Sequence, residues 1–526
     1  MSRTVAVLLL GLLLPAVGVA ASRVVHRAGT DDATTLDPHK VGYPGETTIM
    51  SDLFVGLTTL DAAARVIPGC AESWTVSPDG KTYTFRLRAG LKWSDGKPLG
   101  AADFEYSLRR ALNPATAFPF AGRLFLIRNA RQVAAGKLPV DALGVKATDP
   151  RTVIVTLEHP APYLLEVLAS FGMPVPRERI ARLGGNWMRV ENLVTNGPFT
   201  LAEWRPNAYI RLKRNPSFYD AANVKADEIM HYPVAQPMTA LRRFKAGEID
   251  FVLSVPPDQM EWARKEFGDQ VKTGVGLGVE ALAFNVRKGV TADARVRRAL
   301  SLAIDREALA RNVLDDPSLA AFSYVSPGVS NYPLPVKADF ATWTMDRRRA
   351  EARRLLNAAG YGATRPLPIR LSFPANDINR RIAVVIDAMW RSVGVKAELQ
   401  GKEQRALVAE IARGEFDAAR VLWLGGHSDP MAFLERLDSG SAGSTMNPSG
   451  YANPRYDALI REAEQMADSG RRAAVLRQAE ALALADQPVA PIYFFVGRRI
   501  VSRSLTGWQN NARGIHLSRF MSVPAR

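Results

Sequence analysis

Apolar residues recur along this chain with one of two periods, and the switches between them mark its elements. KTYTFRLR (81–88) sets Tyr83, Phe85 and Leu87 against Thr82, Thr84, Arg86 and Arg88, an alternation that predicts a half-buried strand. SPDG before it and SDGK after it are turn chemistry, because Asp and Gly tolerate the backbone angles of a reversal. GAADFEYSLRRAL then takes up the helical period. Gly100 can cap that helix, Asp103 sits in the first turn where the dipole favours a negative charge, and Asn113-Pro114 ends it. RTVIVTLE, YIRLKRN and VEALAFNV predict further strands, and TALRRFKAGEID predicts a helix closed at Gly247. Thr291 is the expected cap of ADARVRRALSLAI, and Asp305 that of REALARNVL.

Between Leu282 and Leu424 the periods alternate: DRRRAEARRLLNAAG, PIRLSF, RRIAVVIDAMWRSVG, VKAELQ, QRALVAEIARG, ARVLWL. Helix and strand in turn predict a largely parallel α/β layer. Two amphipathic helices, PRYDALIREAEQMA and RRAAVLRQAEALALA, lead to a strand-like PIYFFV. The spaced glycines of GVGLGV (274–279) precede a strand instead of joining a strand to a helix, so they read as a loop and not as a phosphate cradle.

Length then sets the scale, since 526 residues exceed what one core serves and call for two or more lobes. The first 21 residues carry Arg3, the apolar run VAVLLLGLLLPAVGV and small residues near Ala20 and Ala21, the pattern of a secretory signal peptide. That run is too short to cross a bilayer. Cys70 is the single cysteine, so an exported fold here stands on core burial without an internal disulfide. A net charge of +16, from 68 Lys and Arg against 52 Asp and Glu, would suit nucleic acid, an anionic membrane or acidic ligands. The basic residues are scattered, as at Arg347 to Arg349, Arg353 and Arg354, with no interleaved aromatics. They read as a solvated surface, and nucleic acid is not an expected partner.

Catalytic chemistry finds no foothold. HExxH and GxSxG are absent, one cysteine excludes thiolate zinc clusters, and the six histidines lack helical ligand spacing. One stretch does raise a question of chemistry. VLWLGGHSDP (421–430) stops an apolar run on two glycines, with a histidine and an aspartate beyond. Val421, Leu422, Trp423 and Leu424 predict a strand, and Gly425-Gly426 would let another backbone come close. A core strand running into an ordinary turn is the alternative.

ESWTVSPDGKTYTFRLRAGLKWSDGKPLGAADFEYSLRRALNP (72–114) resembles a family signature over its whole length. LDPHK (36–40), SDLFVGL (51–57), NGPFTLAEW (196–204), LKRNPSFYD, FNV…ARVRRALSLAIDREAL, AAGY, FDAARVLW, YANPRYDALI and APIYF accompany it in order. Together they resemble the extracytoplasmic solute-binding proteins of oligopeptide and dipeptide ABC importers, bacterial solute-binding protein family 5. The resemblance implies an α/β, bilobal periplasmic-binding-protein fold, type II in its large form, with an extra inserted domain. Residues 22–54, 196–283 and 496–526 would form lobe one, 55–195 the inserted domain and 284–495 lobe two, with two crossings acting as a hinge. It also implies a monomeric periplasmic receptor, neither an enzyme nor dependent on a cofactor or metal. Such a receptor captures a peptide or peptide-like solute and delivers it to an inner-membrane ABC permease and its ATPases. A non-peptide cargo (an opine, a sugar-derived amine, a haem or a metal chelate) remains open.

In that family the segment matching FDAARVLWLGGHSDP ends a strand at the cleft and pairs with an extended peptide by strand addition. The ligand-binding residues implied are Arg420, Leu422, Trp423, Leu424, Gly425, Gly426, His427 and Asp429. Gly42, Tyr43 and Pro44, in the loop after LDPHK, would lie opposite. Arg420 matches an arginine that meets a peptide's terminal carboxylate, a role suited to a guanidinium. The oligopeptide-binding relatives carry, where Gly426 stands, an aspartate for the peptide's α-amino group. A buried ammonium without a counter-charge costs roughly several kcal/mol. Asp429, or a neutral His427, is the expected substitute, and an aspartate introduced at 426 is expected to strengthen binding of free-amine peptides. A pocket tryptophan and arginine of those relatives fall at Gln404 and Ile411.

Overall fold

Ten strands join into one mixed sheet in the order Val395–Lys402, Leu367–Pro374, Ala418–Leu424, Val271–Phe284, Val489–Val501, Phe251–Val252, Val24–Gly29, Glu228–Pro233, Tyr209–Arg214, Phe199–Arg205. The computed structural model describes residues 22–29, 32–42, 44–316, 319–330, 332, 335–444 and 446–525. Segment 1–21, where the sequence predicts a signal peptide, and Tyr43 lie outside the described residues.

Two strands do the joining of the lobes. Val271–Phe284 and Val489–Val501, 14 and 13 residues long, run antiparallel along each other. Val271–Val275 pairs with Val496–Ile500 on the side that continues through Phe251–Val252 into lobe one. Gly278–Phe284 pairs with Ala418–Leu424 in lobe two. The register shifts between Val275 and Val279, at the crossing itself. Apolar packing divides at the same place. One core holds Leu277, Phe284 and Trp390, and another holds Val25, Phe251 and Val501.

GVGLGV is therefore not the loop its glycines predict but part of the longest strand. Gly274, Gly276 and Gly278 share one face, and a Cβ there would stand 2.5 Å from Asn510, 2.8 Å from Phe495 and 2.8 Å from Leu424 respectively. The glycines make room for side chains that sequence distance hides.

Segment 55–195 carries its own four-stranded antiparallel sheet, Ala71–Val76, Thr82–Leu87, Thr152–Thr156 and Val145–Asp149. Its core is continuous with that of lobe one, since Phe85, Phe104 and Val153 share a cluster with Val25 and Phe199. Arg110 strengthens the union by meeting Asp37 of LDPHK through two bonds of 2.6 and 3.0 Å. Cys70 is buried within it, and burial pushes its thiol up to about 12.

Local signals held well. Thr82–Leu87 buries Tyr83, Phe85 and Leu87, and helix Ala101–Leu112 starts where the Asp103 carboxylate accepts from the Gly100 N–H at 2.9 Å. Asp305 caps Arg306–Leu314 by accepting from the Ala308 N–H at 2.9 Å. The cap placed at Thr291 belongs to Asp293, which accepts from the Arg295 N–H at 2.8 Å. Residues 290–292 first form a 3-10 turn, and the Thr291 hydroxyl is spent on the Asn285 carbonyl at 2.8 Å. The parallel layer is also narrower than expected. Between Leu282 and Leu424 the parallel pairing is confined to Leu367–Pro374 with its two neighbours, because the long crossing strand enters antiparallel.

Candidate functional site

The chain runs up Leu367–Pro374, through helix Asp377–Arg391, and returns as Val395–Lys402 on one side of the first strand. It then passes through helix Gln404–Arg413 and returns as Ala418–Leu424 on the other side. Strand order reverses here, and a crevice opens between the carboxyl ends of strands that diverge from such a point. Divergence is early. Ala418–Leu424 pairs with Leu367–Pro374 only through Leu371 with Ala418 and Ser372 with Ala419.

The opposite edge of Ala418–Leu424 is paired over its whole length with Phe284–Gly278. Gly425 donates its N–H to the Leu277 carbonyl at 2.8 Å, which fixes the alternation. Main-chain groups of Val421 and Trp423 turn toward the long strand, and those of Arg420, Leu422 and Leu424 turn toward the gap. Leu422 and Leu424 are 41% and 47% exposed while Trp423 between them is buried. The gap is a cavity of about 560 Å³ walled by Pro374, Asn379, Leu407 and Ile411 opposite Leu422 and Leu424. An extended backbone can be added to such an edge through the ladder groups the sheet leaves unused.

Arg420 lines this cavity but is not free. It donates to Glu280 at 3.0 Å and to the Tyr493 hydroxyl at 3.0 Å, and it also bonds Asn379. Burial raises the Glu280 carboxyl pKa, with Arg420 opposing the shift. The carboxylate-binding role expected of Arg420 is taken up inside the protein.

Beyond the strand, the expected residues divide. Gly425 and Gly426 line a neighbouring cavity of about 290 Å³, faced by Thr47, Thr48 and Ser51 of helix Pro44–Leu53 in lobe one. Gly42 lines neither cavity, and its N–H is given to Glu46 at 2.8 Å. Pro44 opens the helix, whose Thr47, Thr48 and Ser51 face the strand end. Asp429 is fully buried, and both its oxygens are held by Arg472 at 2.7 and 2.9 Å. It cannot serve as the counter-charge of a guest ammonium without abandoning a buried arginine.

His427 stacks on Tyr163 at 4.0 Å between ring centroids, and the next N–H, of Ser428, donates to Glu166 at 2.7 Å. These contacts tie lobe two to segment 55–195 instead of addressing the strand edge. Burial, with Arg123, Arg513 and Arg472 nearby, lowers the His427 pKa to about 3, against the pull of Asp429. The imidazole is neutral, with Nδ1 buried and without a hydrogen-bond partner among the described residues. His427 does line a further cavity of about 560 Å³, between Phe120, Arg131 and Glu464.

Two arginines complete the electrostatics. Arg123 lines both larger cavities, and a Cβ on Gly426 would stand 2.5 Å from its Cζ. Arg436 donates to the Leu424 carbonyl at 3.3 Å and lies over the Trp423 ring at 5.8 Å. Burial lowers the Arg436 pKa, with Glu435 opposing and Arg123 adding to the shift. Among the described residues, no group of three or more His, Cys, Asp or Glu could hold a metal ion.

Residues 65–445 match the family described as bacterial extracellular solute-binding proteins, family 5 Middle. The chain belongs to that family. The periplasmic oligopeptide-binding protein OppA of Escherichia coli K12 is 33% identical over 497 residues, covering 94% of this chain and 91% of OppA. The probable deoxycholate-binding periplasmic protein YgiS of the same strain is 36% identical over 486 residues, covering 90% of this chain and 89% of YgiS. In three dimensions, the murein tripeptide-binding protein MppA of Escherichia coli superposes with a TM-score of 0.80 at 33% identity, covering 95% of this chain and 98% of that one. The fold of this solute-binding protein is the bilobal α/β type of these relatives.

Sequence reasoning missed Glu280, Arg123, Arg436 and the helix residues Thr47, Thr48 and Ser51. Glu280 carried a partial signal, as a lone charge in the apolar run VEALAF. The arginines carried none, because they reach the strand end only through packing of segment 55–195 and of the turns after Pro430.

Proposed function

We propose that this protein is the periplasmic substrate-binding component of an ABC importer. It captures a peptide or peptide-like solute in the crevice beside Ala418–Leu424 and delivers it to an inner-membrane permease driven by ATPases. One observation carries the reading: the edge from Arg420 to Leu424 is left without a strand partner beside a cavity of about 560 Å³. Main-chain bonds to that edge suit many sequences, and the exposed Leu422 and Leu424 side chains offer apolar contact to a guest. The names of OppA and MppA, which give oligopeptides and murein tripeptides as their ligands, support the same cargo class.

Thermal unfolding of the purified protein with a panel of di- to pentapeptides tests this. A ligand at 100 times its Kd stabilises the native state by about 2.7 kcal/mol. No shift with any peptide overturns the peptide reading. A second cargo class, a non-peptide carboxylate, is favoured by the guanidinium of Arg123 against Gly426 and by the name of YgiS.

A further inference from the structure

Around the free edge the fixed charges are uneven. Arg420 is neutralised by Glu280 and buried with it. Arg123 and Arg436 also line the cavity, and neither forms an ion pair among the described residues. They come from distant parts of the chain, Arg123 from the 3-10 turn Ala121–Leu124 and Arg436 from the turn Glu435–Leu437. One lies against Gly426 and the other holds the Leu424 carbonyl, so both sit at the same end of the docking strand. Glu435 faces the other large cavity, where burial raises its carboxyl pKa while Arg123 and Arg436 oppose the shift. That carboxylate does not enter the cavity beside the strand.

Two cations held together in a partly dry crevice repel each other, and a guest anion relieves that repulsion while gaining charge-assisted hydrogen bonds. A guest ammonium at the same place would meet two guanidinium groups. From this geometry we infer that Arg123 and Arg436 form an anion clamp at the Leu424–Gly426 end of the docking strand, which selects solutes presenting a carboxylate there. The inference rests on the binding role proposed above and names the chemistry of its cargo. The carboxylate can be an acidic side chain, a peptide terminus or the acid group of a non-peptide amphiphile.

Calorimetry on the full mature protein separates these cases. The probes are Glu-Ala-Ala, Gln-Ala-Ala and Lys-Ala-Ala, each as free acid and as C-terminal amide, with deoxycholate below its micelle concentration as the non-peptide acid. The expected result is a preference of about tenfold or more for the acid over its neutral isostere, at the side chain or at the terminus. Arg123→Gln and Arg436→Gln should each erase most of that preference. Arg123→Lys should retain part of it, which a misfolded variant would not. Arg128→Gln, exposed and outside the cavities, should change nothing. Equal binding of Glu, Gln and Lys peptides, a preference for Lys, or a preference that survives both glutamine variants overturns the clamp. If deoxycholate alone binds and Arg123→Gln weakens it, the clamp stands and the peptide reading falls. If no probe binds, both fall.

Discussion

Arg420 and Glu280 sit on adjacent antiparallel strands and meet at 3.0 Å, with the guanidinium only 2% exposed. Tyr493 and Asn379 take further donors of the same group. A buried charge that loses its partner keeps its desolvation cost, so Glu280→Ala should destabilise the protein by about 3–5 kcal/mol. Urea unfolding measures this. Arg420→Lys should likewise lower the urea midpoint more than it alters affinity for any ligand, because both its Nη groups are held within the protein.

Strand addition makes a prediction about one main-chain donor. The Leu422 N–H faces the gap, so proline there removes a bond to the guest without breaking the ladder to Val271–Phe284. Leu422→Pro should weaken peptide binding about tenfold, the equivalent of one main-chain hydrogen bond of about 1–1.5 kcal/mol, in calorimetry. An unchanged Kd would show that guests do not pair with this edge.

The expectation that aspartate at 426 strengthens free-amine binding changes once Arg123 is placed. A new carboxylate at that position falls on the Arg123 guanidinium and is neutralised there. Gly426→Asp alone should therefore weaken acidic guests and give little gain for free-amine peptides. Combined with Arg123→Gln, it should favour free-amine peptides over their N-acetylated forms by about tenfold, because the carboxylate is then unpaired. Titration of both variants with one acetylated and one free peptide decides the point.

His427 gives a pH dependence with a definite sign. Its folded pKa, lowered by burial to about 3, lies below the value of about 6.5 for an unfolded chain. The unfolded state therefore binds the proton first, and stability present above pH 6.5 is lost as pH falls toward 3, by at most about 1.4 kcal/mol per pH unit. His427→Phe keeps a ring against Tyr163 and removes the titration. Urea midpoints should fall less between pH 7 and pH 5 in the variant than in the parent.

Elements with strong local periods were legible in advance: the helix 101–112, the strand 82–87 and the alternating block after residue 366. Ordered family phrases supplied the bilobal fold, which no single period could. What the sequence hid was tertiary. GVGLGV reads as a loop because its glycines lack side chains to show a face, yet Phe495, Asn510 and Leu424 occupy that face from afar. His427 and Asp429 read as ligand groups because they adjoin Gly425-Gly426, but the chain turns them toward Tyr163 and Arg472. Gly426 carried the reverse lesson. Its bare backbone was legible, whereas the arginine resting on it comes from another part of the chain.

The doubled ribbon between the lobes has a mechanical consequence. Since its two members are laddered to each other, neither can swivel alone, and the ladder slips out of step twice, between Val275 and Val279 and between Glu280 and Ala281. Asn510, Phe495 and Leu424 pack on the glycine face there, so any curling has to move those side chains. Bending at those slips must carry both strands at once, so the two sides of the sheet tilt as a pair.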